Sequence, residues 1–180
     1  MNTGVSREAA GFRKANPNLI IFKIMLKQAY LIVAMLLILS TTVQAQASDT
    51  RSLTLDEARV ISQAAEQRAN QDGWTVAIAI VDAGGHLLSF SRLPGTQLAS
   101  IDVAIQKAVT SVYFKRPTKA FQDGIAGGNM ALLSLPHFSA FEGGVPIVVD
   151  GEVIGAIGVS GVTPAQDGII AAAGVEAFDR

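Results

Sequence analysis

Three segments of the chain carry apolar residues at the spacing of an amphipathic helix. The first begins at Thr54, which forms an S/T-x-x-E capping box with Glu57, and Gly73 ends it. The second is Ala99–Phe114, whose apolar residues fall on one face. The third is Thr163–Phe178, which opens with another capping box and a proline at the first helical position. The pattern therefore predicts three helices.

Four further segments have the composition of strands. Thr75–Val81 alternates β-branched with small residues, and an Asp-Ala-Gly-Gly turn connects it to His86–Arg92. Val145–Val149 and Val153–Val159 are separated by an Asp-Gly turn and form a second predicted hairpin. Glycines inside the last of these strands indicate close approach of another backbone or of a ligand.

The residues between the second helix and the second hairpin have no clear period. Pro117 ends the helix, Thr118 predicts a short capped turn through Phe121, and glycines with Pro136 predict an irregular segment over residues 124–144. The element order is α-β-β-α-loop-β-β-α, and two hairpins imply a largely antiparallel sheet. This order predicts a layered α/β (α+β) domain, and the absence of G-x-G-x-x-G after a strand excludes a dinucleotide-binding fold.

The strongest apolar run of the chain, Leu31–Leu39, lies outside this domain. Basic residues precede the run and Ala45-Gln46-Ala47 follows it, a pattern typical of a secretory signal peptide. We therefore expect residues 1–47 to be a signal, cleaved to leave residues 48–180, with Met25 as an alternative start. An uncleaved anchor is the alternative, but a spanning helix needs about 20 apolar residues.

Composition narrows the classes of function. The chain has 180 residues, no cysteine and a net charge of −1, so disulfides, thiolate metal sites and covalently attached haem are excluded. Without residues 1–47, 9 basic and 14 acidic residues remain, a net charge of −5. An acidic domain without a basic cluster is not expected to bind nucleic acid. The absence of thiols suits an oxidising compartment, the periplasm or the extracellular space.

Two histidines are the main candidate ligands. His86 follows the first hairpin turn, where it is either an exposed turn residue or a contact to a bound cofactor. His137 lies between Pro136 and Phe138, either as a partly buried residue or as a second, weaker metal ligand. They are the only histidines of the chain, and no cysteine or acid stands at ligand spacing, which argues against structural zinc.

Two cations are candidate contacts for a carboxylate. Arg92 ends the second strand and Lys107 lies on the second helix, beside small apolar residues. Such cations could hold the propionates of a tetrapyrrole or the carboxylate of a small acid. The alternative is that both are surface cations.

Four segments together resemble the GlcG/HbpS family of haem-binding proteins, which is related to the C-terminal domain of PduO. They are VDAGGHLLSFSRLPG (residues 81–95), ASIDVAIQKA (99–108), GGVPIVVDGEVIGAIGVSG (143–161) and QDGIIAAAG (166–174). The resemblance extends over Leu53–Phe178. It implies a profilin-like three-layer α/β/α domain with a five-stranded antiparallel sheet, and assembly into homo-oligomers.

The resemblance also implies a function. It points to an exported protein that binds haem non-covalently for storage, scavenging or sensing, and haem degradation occurs in some members, so enzyme activity stays open. His86 is carried over as the iron ligand, with His137 as the weaker alternative, and Arg92 and Lys107 as pocket residues. The alternative is a protein that binds a small organic acid or aldehyde without haem, in which His86 would shuttle protons. We expect no stable membrane insertion after signal cleavage.

Overall fold

The computed structural model describes residues 17–41 and 51–178. The chain divides into two compact units, residues 1–49 and 50–180. In the first unit, helix α1 (Pro17–Thr41) contains the predicted apolar run. Within the described ranges, no helix is long and apolar enough to cross a membrane. Ala45–Ala47 lie outside the described residues, so cleavage there stays a prediction.

Over residues 51–178, the second unit contains four helices and four strands, together with a 3-10 helix at Met130–Ser134. The elements are α2 (Leu55–Gln71), β1 (Ala77–Asp82), β2 (Leu87–Arg92), α3 (Ala99–Phe114), α4 (Lys119–Ala126), β3 (Gly144–Val149), β4 (Glu152–Ser160) and α5 (Pro164–Phe178). All three predicted helices and both predicted hairpins are confirmed. The first two strands begin slightly later than predicted.

The sheet has four strands in the order β2-β1-β4-β3, and every neighbouring pair is antiparallel. The five strands expected from the family resemblance are therefore wrong for the described part of the chain. The segment between α4 and β3 adds no strand, because it is interrupted by Gly127, Gly128 and Pro136 and folds locally into the 3-10 helix.

Helix α4 is longer than the short turn that the sequence predicts at Thr118–Phe121. Its Phe121 is buried and packs edge-on against Phe114 and Phe138, at 5.2 and 4.9 Å between ring centroids. The Lys119 ammonium also lies 2.9 Å from the Asp123 carboxylate, one turn along the helix. These contacts extend the helix past Gly124, although the low helix propensity of glycine predicts that the helix ends there.

Both faces of the sheet are covered by helices. Ile78 and Ile80 of β1 pack with α2 and α5, whereas Ala77, Ala79 and Val81 pack with α3. The α3 side of the sheet is built from small residues, and a side chain at Gly158 of β4 would collide with the backbone of α3. The prediction that strand glycines mark close approach is thus confirmed, and α3 rests directly on the sheet.

Candidate functional site

Helix α3 has one buried face and one face that borders open clefts. Ala104 and Ala108 lie against the sheet, while Asp102, Gln106 and Val109 line two adjoining clefts of about 400 and 290 Å³. The clefts share Asp102 and Gln106, and we call them together the α3 cleft. Their combined size is in the range of small-molecule sites.

The far wall of the α3 cleft comes from the segment between α4 and β3. Leu133, Leu135, Phe138 and Phe141 give it an apolar lining, and His137 borders its smaller part. Leu133 and Phe141 are exposed although they are large and apolar. An apolar wall with a few polar groups at its edge is typical of a site for a flat, mostly apolar ligand.

A buried hydroxyl group fixes this wall to α3. The Thr110 hydroxyl accepts a hydrogen bond from the Ser139 backbone N–H at 2.9 Å and donates one to the Gln106 carbonyl oxygen at 2.7 Å. The His137 carbonyl oxygen lies 3.4 Å from the same hydroxyl. His137 itself has φ of 50°, a left-handed conformation that non-glycine residues rarely adopt. Thr110 therefore sets the position of the segment that carries His137.

His86 lies at the tip of the β1–β2 hairpin with its side chain 83% exposed. The Asp82 carboxylate accepts hydrogen bonds from the backbone N–H groups of Gly84 and His86, at 2.8 and 2.9 Å. The same carboxylate oxygen lies 3.3 Å from His86 Nδ1. A proton on Nδ1 would face Asp82 and leave the Nε2 lone pair directed to solvent, the arrangement that a metal-ligating histidine needs. The Asp82 side chain thus organises the turn of the hairpin.

The hairpin tip lies beside the same exposed side of α3. A side chain added at Gly85 would meet the ring of Tyr113, which is an exposed residue of α3. Tyr113 is four residues after Val109, so both lie on one helix face, and Val109 lines the cleft beside His137. The hairpin tip that carries His86 therefore lies at the C-terminal end of α3, and His137 lies beside the middle of the same helix.

Arg92 is not part of this arrangement. It is exposed and lies at the end of β2 opposite His86, about 20 Å away at roughly 3.4 Å per residue. Within the described residues the Arg92 side chain has no hydrogen-bond or ion-pair partner. The structure thus separates Arg92 from the predicted iron ligand.

Lys107 lies on the buried face of α3 with only 2% of its surface exposed. Its ammonium group donates hydrogen bonds to the Asp167 carboxylate at 2.7 Å and to the Val159 carbonyl oxygen at 2.9 Å. Burial lowers the pKa of the Lys107 ammonium, against the opposing attraction of Asp167. Burial also raises the pKa of the Asp167 carboxyl. This pair ties α3 to β4 and α5.

Sequence reasoning did not find Asp167 as the partner of Lys107. Asp167 lies in the first turn of α5, where an acid is expected for the helix dipole alone, and nothing in the sequence pairs it with a lysine 60 residues earlier. Across the described ranges there is no group of three or more His, Cys, Asp or Glu side chains able to hold a bare metal ion.

Comparison with known proteins decides the family. A family model described as "Haem degrading protein HbpS-like" matches residues 53–176, almost the whole second unit. This chain belongs to the HbpS-like family. Protein GlcG of Escherichia coli strain K12 is 40% identical over 108 residues, which are 60% of this chain and 81% of GlcG.

Solved structures of HbpS-like proteins have the same fold. A double mutant of Streptomyces reticuli HbpS aligns with a TM-score of 0.68 and 31% identity, over 73% of this chain and 90% of that one. A PduOC–heme complex aligns with a TM-score of 0.64 and 32% identity, over 71% of this chain and 95% of that one. The family resemblance inferred from the four sequence segments is confirmed, and haem binding occurs within the family.

Proposed function

We propose that this HbpS-like protein is exported and binds haem non-covalently along the exposed side of α3. The observation that supports this most is the apolar α3 cleft, which His137 borders, with His86 at the hairpin tip that lies against Tyr113 of the same helix. The cleft has exposed aromatic and aliphatic side chains for the faces of a macrocycle. The donor set fits haem, because the chain has imidazoles but no thiol for covalent attachment.

In this proposal His86 is the iron ligand and Asp82 holds its imidazole. His86 is more exposed than a core histidine, its Nδ1 faces a carboxylate, and its Nε2 is open to a ligand. His137 is the alternative ligand, since it borders the cleft directly. When bound, haem supplies an iron centre that can take part in redox chemistry or bind oxygen.

The two predicted pocket cations have different parts in the proposal. Lys107 is only 2% exposed and its ammonium group is hydrogen-bonded to Asp167, so we assign it to holding α3 in place rather than to contact with haem. Arg92 is about 20 Å from His86 by strand length, so it is not part of the iron site. The alternative in which Arg92 and Lys107 together hold one carboxylate loses its support, because Lys107 already has a partner.

A spectroscopic titration tests the haem proposal. Haemin is added to the purified protein and to the His86→Ala, His137→Ala and Asp82→Asn variants, and the Soret band is recorded. We expect a shifted Soret band for the parental protein and for His137→Ala, and its loss in His86→Ala. Asp82→Asn should weaken haem binding by about tenfold to a hundredfold, the range found for groups that orient a ligating histidine.

The control is Arg59→Ala, an exposed change on α2, which should leave the titration unaltered. A free-haemin spectrum with the parental protein at micromolar concentration would overturn the proposal. Loss of the shifted band in His137→Ala but not in His86→Ala would exchange the roles of the two histidines. Loss of the bound band only when a reductant and oxygen are present would show degradation in addition to binding.

We further propose that the profilin-like layering and homo-oligomerisation implied by the resemblance apply here. Helices on both faces of the sheet support the first. The exposed apolar residues Leu98, Tyr113, Met130 and Phe141 support the second, since large apolar groups on a surface favour contact with another molecule. Storage, scavenging and sensing of haem are the roles that such a protein would serve outside the cytoplasm.

A further inference from the structure

Two buried hydroxyl groups lie where the β2–α3 loop enters α3, and neither has a hydrogen-bond partner. Ser100 is 1% exposed and Thr96 is 8% exposed, yet within the described residues no group bonds to Ser100 Oγ or Thr96 Oγ1. A buried polar group without a partner costs about 1–3 kcal/mol, so such groups are rare and call for a physical reason. Together they form an orphaned pair next to a helix N-terminus.

The backbone at the same place has unused donors. Among the described residues, no acceptor faces the backbone N–H groups of Gln97, Leu98 or Ala99. Helix α3 has 16 residues, and its partial positive charge is centred on this end. Because the Cα–Cβ bonds of a helix tilt towards its N-terminus, the Ser100 side chain points back towards this end. The Ser100 hydroxyl and the free backbone donors are therefore directed to the same end of α3.

A cation stands at the same end of the sheet. In the strand register Arg92 of β2 is opposite Ala77 of β1, which is opposite Ser160 of β4. Ala77 faces α3, so the side chains of Arg92 and Ser160 lie on the α3 side as well. Arg92 has no ion-pair partner in the described part of the chain and is exposed. Asp102 is the only acidic residue in the first turn of α3. It lies on the face of the helix that lines the α3 cleft.

The geometry points to a site for a small oxyanion, a carboxylate or a phosphate, at the N-terminus of α3. Ser100, Thr96 and the free backbone N–H groups donate hydrogen bonds to its oxygens, and Arg92 supplies the charge from the sheet side. This site is separate from the iron site, because Arg92 and His86 are at opposite ends of β2. It gives the arginine a function that the haem proposal leaves open.

Thermal unfolding of the purified protein without haem tests the site. Acetate, succinate and phosphate are each compared with sodium chloride at equal ionic strength, so that only specific binding raises the melting temperature. We expect at least one oxyanion to raise it in a concentration-dependent manner, and which of the three acts identifies the class. If none raises it above chloride, the proposal is wrong, whatever the result with haem.

Variants then locate the binding. In Thr96→Val/Ser100→Ala the orphaned hydroxyls are gone, so the free protein should be as stable as the parental protein or more stable. Its affinity for the oxyanion should fall by about tenfold to a hundredfold, the usual effect of losing hydrogen bonds to a charged group. Arg92→Gln should lower the affinity, while Arg59→Gln on α2 should not.

A matched hydroxyl on the same helix is the control. Ser111 is also buried on α3, but its hydroxyl donates to the Arg116 carbonyl oxygen at 3.0 Å. Ser111→Ala should therefore lower the melting temperature and keep the oxyanion effect. If the double variant is less stable than the parental protein and still responds to the oxyanion, the hydroxyls have a structural role and the proposal fails. Thr96→Val alone gives the same contrast should the double variant not fold.

Discussion

Single residues in this protein have roles that their residue type alone does not reveal. The clearest case is the buried pair of Lys107 and Asp167. Charged residues on helices are expected at the surface, and the sequence gives no sign that these two are in contact. Both charges are removed from water, and each is compensated by the other and by backbone groups, including the Val162 N–H at 3.2 Å from Asp167. Such a pair is costly to break even when it adds little net stability.

We expect Lys107→Met to destabilise the domain by about 3–5 kcal/mol, because Asp167 is left as a buried charge without a partner. Lys107→Met/Asp167→Leu should recover most of this loss, since an apolar pair of similar volume replaces the ion pair. Urea denaturation of both variants measures the two free energies of unfolding. An equally large loss in the double variant would show that the hydrogen bonds to Val159 and Val162 dominate.

At the scale of elements, the regular parts of this chain are predictable and the connecting segment is not. The capping boxes at Thr54 and Thr163 form as expected, with Thr54 N–H donating to Glu57 at 2.9 Å and Thr163 N–H to Gln166 at 3.1 Å. These are local signals, since all the partners lie within one turn. The wall of the α3 cleft depends instead on Thr110 and Ser139, 29 residues apart, and no sequence period marks such a contact.

We predict that Thr110→Val loosens the segment over residues 137–141 without unfolding the domain. Valine keeps the volume of threonine but leaves the Ser139 N–H without its acceptor, at a cost of about 1–3 kcal/mol. Hydrogen exchange should show faster exchange at Ser139 and unchanged protection in β1 and β4. Thr110→Ser, which keeps the hydroxyl, is the matched variant and should exchange like the parental protein. Uniformly faster exchange in Thr110→Val would mean that the contact supports the whole fold.

For the whole molecule, the pattern of the sequence predicts the class, the order of the main elements and the four strands that the described residues contain. The fifth strand implied by the family resemblance is wrong for these residues, because the segment between α4 and β3 folds locally instead of pairing with the sheet. Of the candidate site, the sequence alone indicates only the two histidines. His86 and His137 stand out by residue type, whereas their common position beside α3 depends on Tyr113 meeting the hairpin tip.

Export is the prediction that concerns residues 1–47. We expect a secreted form that begins at Ser48, because Ala45-Gln46-Ala47 matches the small-residue cleavage pattern after an apolar run. N-terminal sequencing of protein from the culture medium or from the periplasm measures the cleavage position. Replacing Ala47 with a bulky residue should block cleavage and leave the longer form. Recovery of the uncleaved chain from the parental strain would point to an anchor instead.

The small residues beneath α3 have a consequence for how the protein selects its ligand. Ala77, Ala79 and Gly158 hold the middle of the helix directly against β1 and β4, and at Gly158 the helix backbone lies too close for any side chain. The position of α3 is thus fixed by the sheet. A ligand of different shape on the outer side of α3 cannot be accommodated by movement of the helix towards the strands. Only the segment opposite α3, residues 127–143, could then adjust to a different ligand. Sequence differences that change the specificity of related proteins should therefore concentrate in residues 127–143.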